Sequence, residues 1–472
     1  MLRKVTLLGL VGLLACGGNG GGRSDAGNDG GVDAGVDLAD RLAAIPGMTV
    51  SEQPSPLHGY RYFILTFDQL ADHRAPNGQH FAQRMVLLSR DEAAPMVLFL
   101  SGYQVTLAPY RAELTRALNA NQLSVEHRYF AVSRPEPTDW SQLTIEQAAN
   151  DDHLIVQALK AIYPGRWLST GQSKGGMAAV FHRRFYPDDV DGTVAYSAPL
   201  TLPGDQLQGP GNRYIAFLDT VGSDSCRQDL SDFQNLVLSR RSEMIAALDQ
   251  QTPAGSWTIL GEDRALDFMV EDTPFVFWQY GDSSLCAQIP TSASASPAVF
   301  AFLDRIVGTA LYADNEVLAE LPYYYQAATQ LGYPAADEST LVGLVHPGEN
   351  TARAYIPASV PTASYDDGAA ATDIQSWVST SGSRLLFVYG ETDPWSAGAF
   401  QLGSASDSFK LVVSGGNHVS PLAALAPTDL AIALDAIGRW TLTTPALARL
   451  PDGRSEPELN KPEPGWPQRL RR

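Results

Sequence analysis

Cysteines, basic residues and cofactor motifs are all scarce in this sequence. Three cysteines among 472 residues are too few for a small disulfide scaffold. Lys and Arg total 33 against 52 Asp and Glu, and the formal charge of −19 disfavours a nucleic-acid-binding surface, which needs clustered cations. There is no H-E-x-x-H, no paired C-x-x-C and no G-x-x-x-x-G-K-S/T, so no metal or other cofactor is implied. Apolar residues make up 44% of the chain, which is enough for a large folded core.

The first residues have the form of an export signal. Arg3 and Lys4 precede an apolar run at residues 5–14 that is too short to span a bilayer, and Cys16 follows. Residues 1–15 resemble the signal peptide of a bacterial lipoprotein, whose next residue is a lipidated cysteine; an ordinary secretory signal is the alternative. We therefore expect an extracytoplasmic protein that is either anchored to the cell envelope through lipid on Cys16 or secreted. The outer membrane is one candidate for the anchored form.

Composition predicts a flexible tether at residues 16–40. Residues 17–40 contain 9 Gly and 5 Asp, a composition that cannot bury enough surface to fold. A chain of this length would hold the body about 27 Å from its anchor. At the other end, residues 451–472 are rich in proline and charge, which predicts a surface tail.

Cysteine usage agrees with export. If Cys16 carries lipid, Cys226 and Cys286 remain as an even pair in an oxidising compartment. We expect a disulfide between them that closes a loop of about 60 residues and stabilises the fold by about 4 kcal/mol on the chain-entropy model. Two buried free thiols are the alternative.

The body alternates apolar, β-rich runs with helical patterns, which is typical of an α/β protein with a mostly parallel sheet covered on both faces. Thr144 and Gln147 have capping-box spacing ahead of a helical stripe, so a crossover helix is predicted there. The first two strands are predicted to be antiparallel to each other. Eight strands are predicted, at residues 60–69, 80–90, 96–100, 123–127, 166–170, 192–197, 384–389 and 410–413.

Residues 199–383 break this rhythm. Apolar residues recur there at helical spacing, including residues 230–248, 263–269 and 298–312, and strand-like runs are scarce. The pattern predicts a mainly helical cap inserted between the sixth and seventh strands, which divides the core into residues 41–198 and 384–450. Aromatic residues of the cap could line a pocket or form ordinary cap core: Phe275, Phe277, Trp278, Tyr280, Tyr323, Tyr324 and Tyr325.

A G-x-S-x-G pentapeptide, residues 171–175, lies between a predicted strand and a helix-like segment. At such a turn the hydroxyl of Ser173 sits on a tight bend, and small flanking residues allow close backbone approach. The N–H of Lys174, at the helix amino terminus, would face the position of a developing oxyanion. A Ser–Lys dyad is disfavoured because adjacent helical residues diverge by about 100°.

A serine nucleophile needs a base and a carboxylate that orients the base. Only three histidines follow Ser173. His182 lies about 13 Å down the same helix, and His346 falls in the cap. His418 follows the last predicted strand and is therefore the predicted base. In α/β proteins whose G-x-S-x-G serine lies between a strand and a helix, the acid lies between the serine and the histidine in chain order.

Asp393, just after the predicted strand at residues 384–389, is the predicted acid, and Glu391 is the alternative. A second oxyanion donor would come from the loop after the third strand, where Gly102 permits a sharp bend. The N–H of Gly102 and that of Tyr103 are both candidates, and a plain strand-ending turn is the alternative.

Glu126 ends the fourth predicted strand, at the sheet edge where ligands bind. Its carboxylate could hold the ammonium group of a peptide amino terminus by a charge-assisted hydrogen bond. It could equally pair with Arg128 or Arg134 and brace the loop.

Together these residues resemble the secreted bacterial tripeptidyl aminopeptidase family of serine peptidases, which includes prolyl tri- and tetrapeptidyl aminopeptidases. The resemblance spans about residues 53–442 and is carried by residues 126–130, 133–135, 143–149, 171–199, 393–400 and 417–418. It implies an α/β-hydrolase fold, a triad of Ser173, Asp393 and His418, and removal of short peptides from free amino termini. The segment at residues 126–129 also resembles the distantly related prolyl carboxypeptidase and dipeptidyl peptidase group. The lipoprotein tether departs from the secreted members, so the resemblance does not supply the localisation.

The leading hypothesis is a serine exopeptidase that releases tri- or tetrapeptides from free amino termini, with proline direction, through an acyl-enzyme. Peptides would be its substrates, and a membrane would be contacted only through lipid on Cys16. An esterase or lipase of the same fold and a non-catalytic surface binding protein are the alternatives. The oligomeric state and the physiological substrate are left open by the sequence.

Overall fold

The computed structural model of the chain describes residues 36–253 and 255–446. Cys16, most of the predicted tether and the predicted tail lie outside the described residues. Helix α1 takes in residues 38–40, so the predicted tether ends earlier than expected. The helices that flank the sheet or follow its strands are α1 (Leu38–Ala43), α2 (Glu113–Leu118), α3 (Ile145–Leu159), α4 (Lys174–Phe185) and α13 (Pro427–Thr441).

Nine strands form one sheet in the described part of the chain, one more than predicted. They are β1 (Met48–Gln53), β2 (Arg61–Leu70), β3 (His80–Ser89), β4 (Met96–Leu100), β5 (Asn121–Val125), β6 (Trp167–Gln172), β7 (Gly192–Tyr196), β8 (Leu385–Gly390) and β9 (Phe409–Val413). Their order across the sheet is β1-β2-β3-β5-β4-β6-β7-β8-β9. The eight predicted strands match β2–β9 to within two residues at either end.

The strands β4–β9 are parallel, whereas β1, β2 and β3 join the sheet by antiparallel pairing. The expected antiparallel start is therefore confirmed. Because β7 and β8 are buried along their whole length, both faces of each strand carry mainly apolar or small side chains, and β8 is a continuous hydrophobic run up to its final glycine. Parallel strands place their carboxyl ends at one edge, and the loops that follow β4, β5, β6, β8 and β9 meet there.

Helices cover both faces of this sheet. On one face α3 and α4 pack through Ile145, Val180 and Phe181 against the inner side chains of β7 and β8. On the other, α2 and α13 pack through residues such as Leu114 and Ile437. Removing these apolar surfaces from water supplies the driving force for the layered arrangement, at about 25 cal/mol per Å² buried. The molecule thus has the α/β-hydrolase fold that the sequence predicted.

The predicted crossover helix is present as α3, but its capping box is half formed. The Thr144 hydroxyl oxygen accepts a hydrogen bond from the Gln147 N–H at 3.2 Å, as expected for an N-cap. The side chain of Gln147 does not return to the cap. Its amide donates to Asp72 and its oxygen accepts from the His73 N–H, so the same residue ties α3 to the loop after β2.

Between β7 and β8 the described residues form helices rather than strands, as predicted for the cap. These helices are α5 (Arg213–Leu218), α6 (Asp224–Ser239), α7 (Arg241–Gln251), α8 (Glu262–Tyr280), α9 (Ser296–Val307), α10 (Asp314–Ala319), α11 (Leu321–Gln326) and α12 (Ala369–Ser381). The boundaries of cap and core at residues 198–199 and 383–384 stay a prediction. No helix among the described residues is both long and apolar enough to cross a bilayer.

The cap has an apolar core of its own, to which Phe233, Phe268 and Phe302 contribute. A disulfide joins Cys226 of α6 to Cys286, with Cα atoms 5.3 Å apart. The cysteine pairing expected from the sequence is thus present in the structure.

Helix α8 is longer than the predicted segment at residues 263–269 and continues through a proline. Pro274 has no N–H to donate to the carbonyl of Val270 four residues earlier, which would leave that oxygen without its helical partner. The side-chain amide of Gln234 donates to it at 2.8 Å instead. With this hydrogen bond in place of the missing helical one, α8 continues unbroken from the cap interior to the edge of the sheet.

Candidate active site

Ser173 occupies the turn between β6 and α4 with a strained backbone, φ 53° and ψ −125°. A positive φ is rare for a residue with a side chain and persists only where surrounding contacts enforce it. Here the Ser173 N–H donates to the Tyr196 carbonyl at 2.9 Å, and the Met177 N–H returns to the Ser173 carbonyl at 2.9 Å. This is the geometry of a nucleophile elbow, and the serine is 8% exposed.

The loop after β4 packs directly against this elbow. Gly102 has φ +74°, and a Cβ atom on it would lie 2.4 Å from the Gly175 nitrogen, so only glycine fits. The Lys174 ammonium donates to the Gly102 carbonyl oxygen at 2.6 Å. The two segments predicted to supply oxyanion donors therefore lie in contact. The Tyr103 N–H has a long hydrogen bond to the Ser101 hydroxyl, at 3.3 Å.

The side chain of Lys174 is buried, and its contacts do not suit it to act as a base. Besides the Gly102 carbonyl, its ammonium lies over the rings of Tyr103 and Phe130, at 5.5 and 5.3 Å from their centroids. A cation is stabilised by such ring faces when water is excluded. These contacts fit the expectation that Lys174 contributes its backbone rather than its amine.

Asp393 and His418 meet at the same edge. The Nδ1 atom of His418 is 2.7 Å from the Asp393 Oδ2 atom, and both side chains are buried, with 1% and 0% exposure. The other carboxylate oxygen of Asp393 accepts from the Trp395 N–H at 3.1 Å. A carboxylate with two fixed donors cannot rotate freely, so it fixes the orientation of the imidazole.

The main chain of His418 is anchored from three elements. Its carbonyl accepts hydrogen bonds from the Gln172 amide at the end of β6, at 2.7 Å, and from the Ser197 hydroxyl after β7, at 2.9 Å. Its N–H donates to the Gln279 carbonyl of α8 at 2.9 Å. The link to Gln172 ties the histidine loop to the residue that precedes Ser173 in the chain.

The alternative residues lie elsewhere. Glu391 accepts from the Ser414 hydroxyl and the Gly415 N–H, at 2.9 and 2.7 Å, and so holds the turn that precedes His418. These donors lower the pKa of the Glu391 carboxyl. His182 is buried against Asp189, and His346 lies in the cap, bonded to Asp267.

Glu126 does not reach the pocket. Its side chain is 0% exposed, and Arg84 forms an ion pair with it at 2.5 Å. The Ser133 hydroxyl and the Val105 N–H donate to its two oxygens, at 2.7 and 3.0 Å. With both oxygens occupied, the carboxylate braces the loops at the sheet edge, and the predicted role in holding a substrate ammonium does not apply.

The predicted bracing partners of Glu126 are also corrected. Arg128 forms a buried pair with Asp151 at 2.7 Å, and Arg134 donates to the Tyr129 carbonyl. The sequence could not identify Arg84, because the contact crosses from β3 to β5 and depends on strand register.

Two adjoining cavities, of about 230 and 460 Å³, lie between the sheet edge and the cap. The smaller is lined by Ser173 and Lys174, together with Trp395 and Tyr280, whose rings pack against His418. The walls shared by the two cavities come from Asp272, Val276, Gln279, Tyr323, Tyr333 and Trp395. The cavities thus form one cleft that starts at Ser173 and extends under the cap.

Aromatic residues dominate the walls of this cleft. Of the seven cap aromatics considered above, five line it: Phe275, Trp278, Tyr280, Tyr323 and Tyr324. Phe277 is cap core, and Tyr325 packs against Trp140. Most of these aromatics thus line the cleft, and two of the five, Trp278 and Tyr324, also pack in or against the cap core.

Two acidic residues that the sequence analysis did not single out lie in the larger cavity. Glu271 and Asp272 are adjacent on α8 and both line it. Burial raises the pKa of Asp272 to about 6, although hydrogen bonds from Tyr312 and Asn350 oppose the rise. The available signal was a pair of adjacent acids directly after the apolar residues 268–270 and shortly before Pro274.

Comparisons with known proteins show the family to which the chain belongs. The family model described as PS-10 peptidase S37 matches residues 32–459. The prolyl tri/tetrapeptidyl aminopeptidase of Streptomyces mobaraensis is 38% identical over 463 residues, which cover 97% of this chain and 96% of that protein. The lysosomal Pro-X carboxypeptidase of Mus musculus is 28% identical over 175 residues, 33% of this chain and 36% of that enzyme.

Among solved structures, the peroxisomal alpha-beta-hydrolase Lpx1 of Saccharomyces cerevisiae matches with a TM-score of 0.36 and 12% identity, covering 84% of this chain and 94% of that one. The family model and the relative from Streptomyces each match nearly the whole chain. This protein therefore belongs to the S37 family of peptidases and is a serine peptidase.

Proposed function

We propose that this protein removes tri- or tetrapeptides from the free amino termini of peptides, with proline favoured at the cut. The observation that carries the proposal is the hydrogen bond between Asp393 and His418 beside the strained elbow at Ser173. The relative from Streptomyces mobaraensis, a prolyl tri/tetrapeptidyl aminopeptidase that is matched over nearly its whole length, supplies the substrate class.

In this proposal Ser173 attacks the scissile carbonyl while His418 accepts its proton through Nε2. Asp393 holds the imidazole with its Nδ1 proton directed at the carboxylate and stabilises the imidazolium that forms. The oxyanion is stabilised by the Lys174 N–H and by an N–H of the segment at Gly102 and Tyr103. His418 then gives the proton to the leaving amine. In the second half, His418 takes a proton from the water molecule that attacks the acyl-enzyme and returns it to the Ser173 oxygen as the peptide leaves.

The shape of the cleft supports an exopeptidase. Cap residues such as Tyr323 and Tyr333 line the cleft that starts at Ser173, which suits a short peptide held between the sheet edge and the cap. Aromatic walls such as those of Tyr323, Tyr333 and Trp395 are suited to packing against a proline ring. An esterase and a non-catalytic binding protein are not favoured, because the family and the full-length relative are peptidases.

The test compares hydrolysis of tripeptide-aminoarylides by the wild type and by Ser173→Ala. We expect the wild type to release the arylamine and the variant to lose turnover by at least about 10⁴-fold. Acetylation of the substrate's amino terminus should abolish most of the wild-type rate. Equal rates for the two proteins, or a preference for p-nitrophenyl esters that ignores acetylation, would contradict the proposal.

We further propose that lipid on Cys16 anchors the protein to the cell envelope on its extracytoplasmic side. The support is the sequence of residues 1–16, with a basic start, a short apolar run and a cysteine. Cys16→Ser should move the protein from the detergent phase to the aqueous phase in a detergent partition of whole-cell extract. Partition that does not change with the substitution would contradict the anchor.

A further inference from the structure

Glu271 is a buried carboxyl group with unused hydrogen-bonding capacity. Its side chain lines the larger cavity, the residue is 3% exposed, and within the described parts of the chain neither carboxylate oxygen has a hydrogen-bond partner. Buried polar groups are almost always paired, because an unpaired one costs roughly 1–3 kcal/mol or more. An exception that faces a cavity is therefore a candidate site for a ligand.

The charges near Glu271 favour a cationic ligand. Burial, followed by the negative charges of Asp272 and Glu338, raises the pKa of the Glu271 carboxyl to about 9, and the nearby amide of Asn350 only opposes the rise. An ammonium group placed against the carboxyl would reverse this effect, since an opposite charge within about 4–6 Å favours the ionised form. At neutral pH the Glu271 carboxyl would thus become an anion only when a cation binds against it.

Its neighbours already have their partners. Asp272 accepts from the Asn350 amide at 2.9 Å and from the Tyr312 hydroxyl at 2.7 Å. Arg227, which also lines the cavity, is bound to Asp224 and to the carbonyls of residues 221 and 222. Glu271 is consequently the buried carboxyl group of this cavity that, among the described residues, still has both oxygens available to a group entering from the cleft.

Helix α8 connects Glu271 to the edge of the sheet that carries His418, so its length gives the distance between them. The carbonyl of Gln279, eight residues further along α8, accepts the hydrogen bond from the His418 N–H. Eight residues at 1.5 Å each give a separation of about 12 Å along the helix axis. Three residues of extended peptide span about 10–11 Å, and a hydrogen bond adds about 2.8 Å. Because Gln279 and Ser173 both line the smaller cavity, the rise from Glu271 to Gln279 is of the length that three extended residues would need.

We propose that Glu271 receives the α-ammonium group of the substrate, and that α8 thereby sets the number of residues released. This inference rests on the proposed aminopeptidase function. It places in the cap the recognition role that was one of the two alternatives for Glu126, and it makes Glu271 a specificity-determining residue.

The test uses Glu271→Gln, which keeps the shape of the side chain and removes its charge. On a tripeptide-p-nitroanilide with a free amino terminus we expect kcat/KM to fall about 10- to 100-fold, mainly through KM, because a charge-assisted hydrogen bond is lost. On the N-acetylated form of the same substrate the rate should stay within about twofold of the wild type. The lengths of fragments released from a mixed peptide pool should broaden beyond three and four residues.

The matched control is Glu262→Gln, an exposed residue at the start of the same helix, which should leave both rates unchanged. Glu271→Asp keeps a carboxylate and should retain discrimination against the acetylated substrate, whereas a residue that only supports the fold would not show this rescue. An unchanged rate on the free peptide, or an equal loss on both substrates, would overturn the assignment of Glu271. A wild type that turns over no free tripeptide substrate, with Ser173→Ala indistinguishable from it, would instead overturn the proposed function and the inference with it.

Discussion

The substitution Asp393→Asn tests the proposed triad most directly. The carboxylate accepts two hydrogen bonds, from His418 Nδ1 at 2.7 Å and from the Trp395 N–H at 3.1 Å. Asparagine has about the same shape but a single acceptor oxygen, so it cannot satisfy both donors. The Trp395 N–H is a fixed backbone donor, and we expect the amide oxygen to turn toward it.

The amide nitrogen would then face His418 Nδ1, which would have to accept a hydrogen bond. The imidazole proton would move to Nε2, the atom that must take the proton of Ser173. A base in the wrong tautomer lowers kcat by about 10⁴-fold in serine proteases, which corresponds to about 5.5 kcal/mol of transition-state stabilisation.

The assay is steady-state hydrolysis of a tripeptide-aminoarylide at neutral pH, with thermal unfolding to show that the variant folds. Glu391→Gln is the matched control, because Glu391 lies two residues away and contacts Ser414 and Gly415 rather than His418. We expect its kcat to stay within about threefold of the wild type. A loss below tenfold for Asp393→Asn in a folded protein, or a larger loss for Glu391→Gln, would refute the assignment of the acid.

Three further predictions concern stability and geometry. Gly102→Ala should abolish activity, because its Cβ would lie 2.4 Å from the Gly175 nitrogen at a φ of +74°; near-normal kcat would contradict the close contact. Glu271→Gln should be more stable than the wild type by about 4–5 kcal/mol at pH 8, because the fold retains a proton that the unfolded chain has released, at about 1.4 kcal/mol for each pH unit above about 4.5. The margin should vanish near pH 4, since an acid whose pKa is raised to about 9 in the fold costs stability as pH rises from about 4.5; urea unfolding at both pH values checks the sign. Replacing Cys226 and Cys286 by serine should cost about 4 kcal/mol for a separation of 60 residues, and an unchanged unfolding midpoint would contradict this.

The sequence predicts the central strands and the triad candidates well because each leaves a local signal. The strands β7 and β8 are buried on both faces and are therefore rich in apolar residues. Strand β1 was missed because it lies at the sheet edge and only Met48 is buried along it. Its pairing with β2 depends on backbone hydrogen bonds, which side-chain patterning does not record.

The sequence predicts where a residue lies in the fold better than it predicts which side chains that residue contacts. Placing Glu126 at the edge of the sheet was correct, but its partner Arg84 is 42 residues away and is brought close by strand register. Gln147 illustrates the same limit: its spacing predicted a capping box, and its side chain bonds to residues 72 and 73 instead. Glu271 lay just beyond the predicted helix at residues 263–269, and the continuation through Pro274 concealed it.

The hydrogen bond from the His418 N–H to the Gln279 carbonyl has a consequence for how much of the chain is needed for catalysis. The sheet and its flanking helices supply the nucleophile, the base and the acid, yet one of the three anchors of the base belongs to the inserted helices. A truncated protein that kept the sheet and lost α8 would leave that backbone amide to solvent and the imidazole less firmly seated. The smallest competent peptidase is therefore the core and the insertion together.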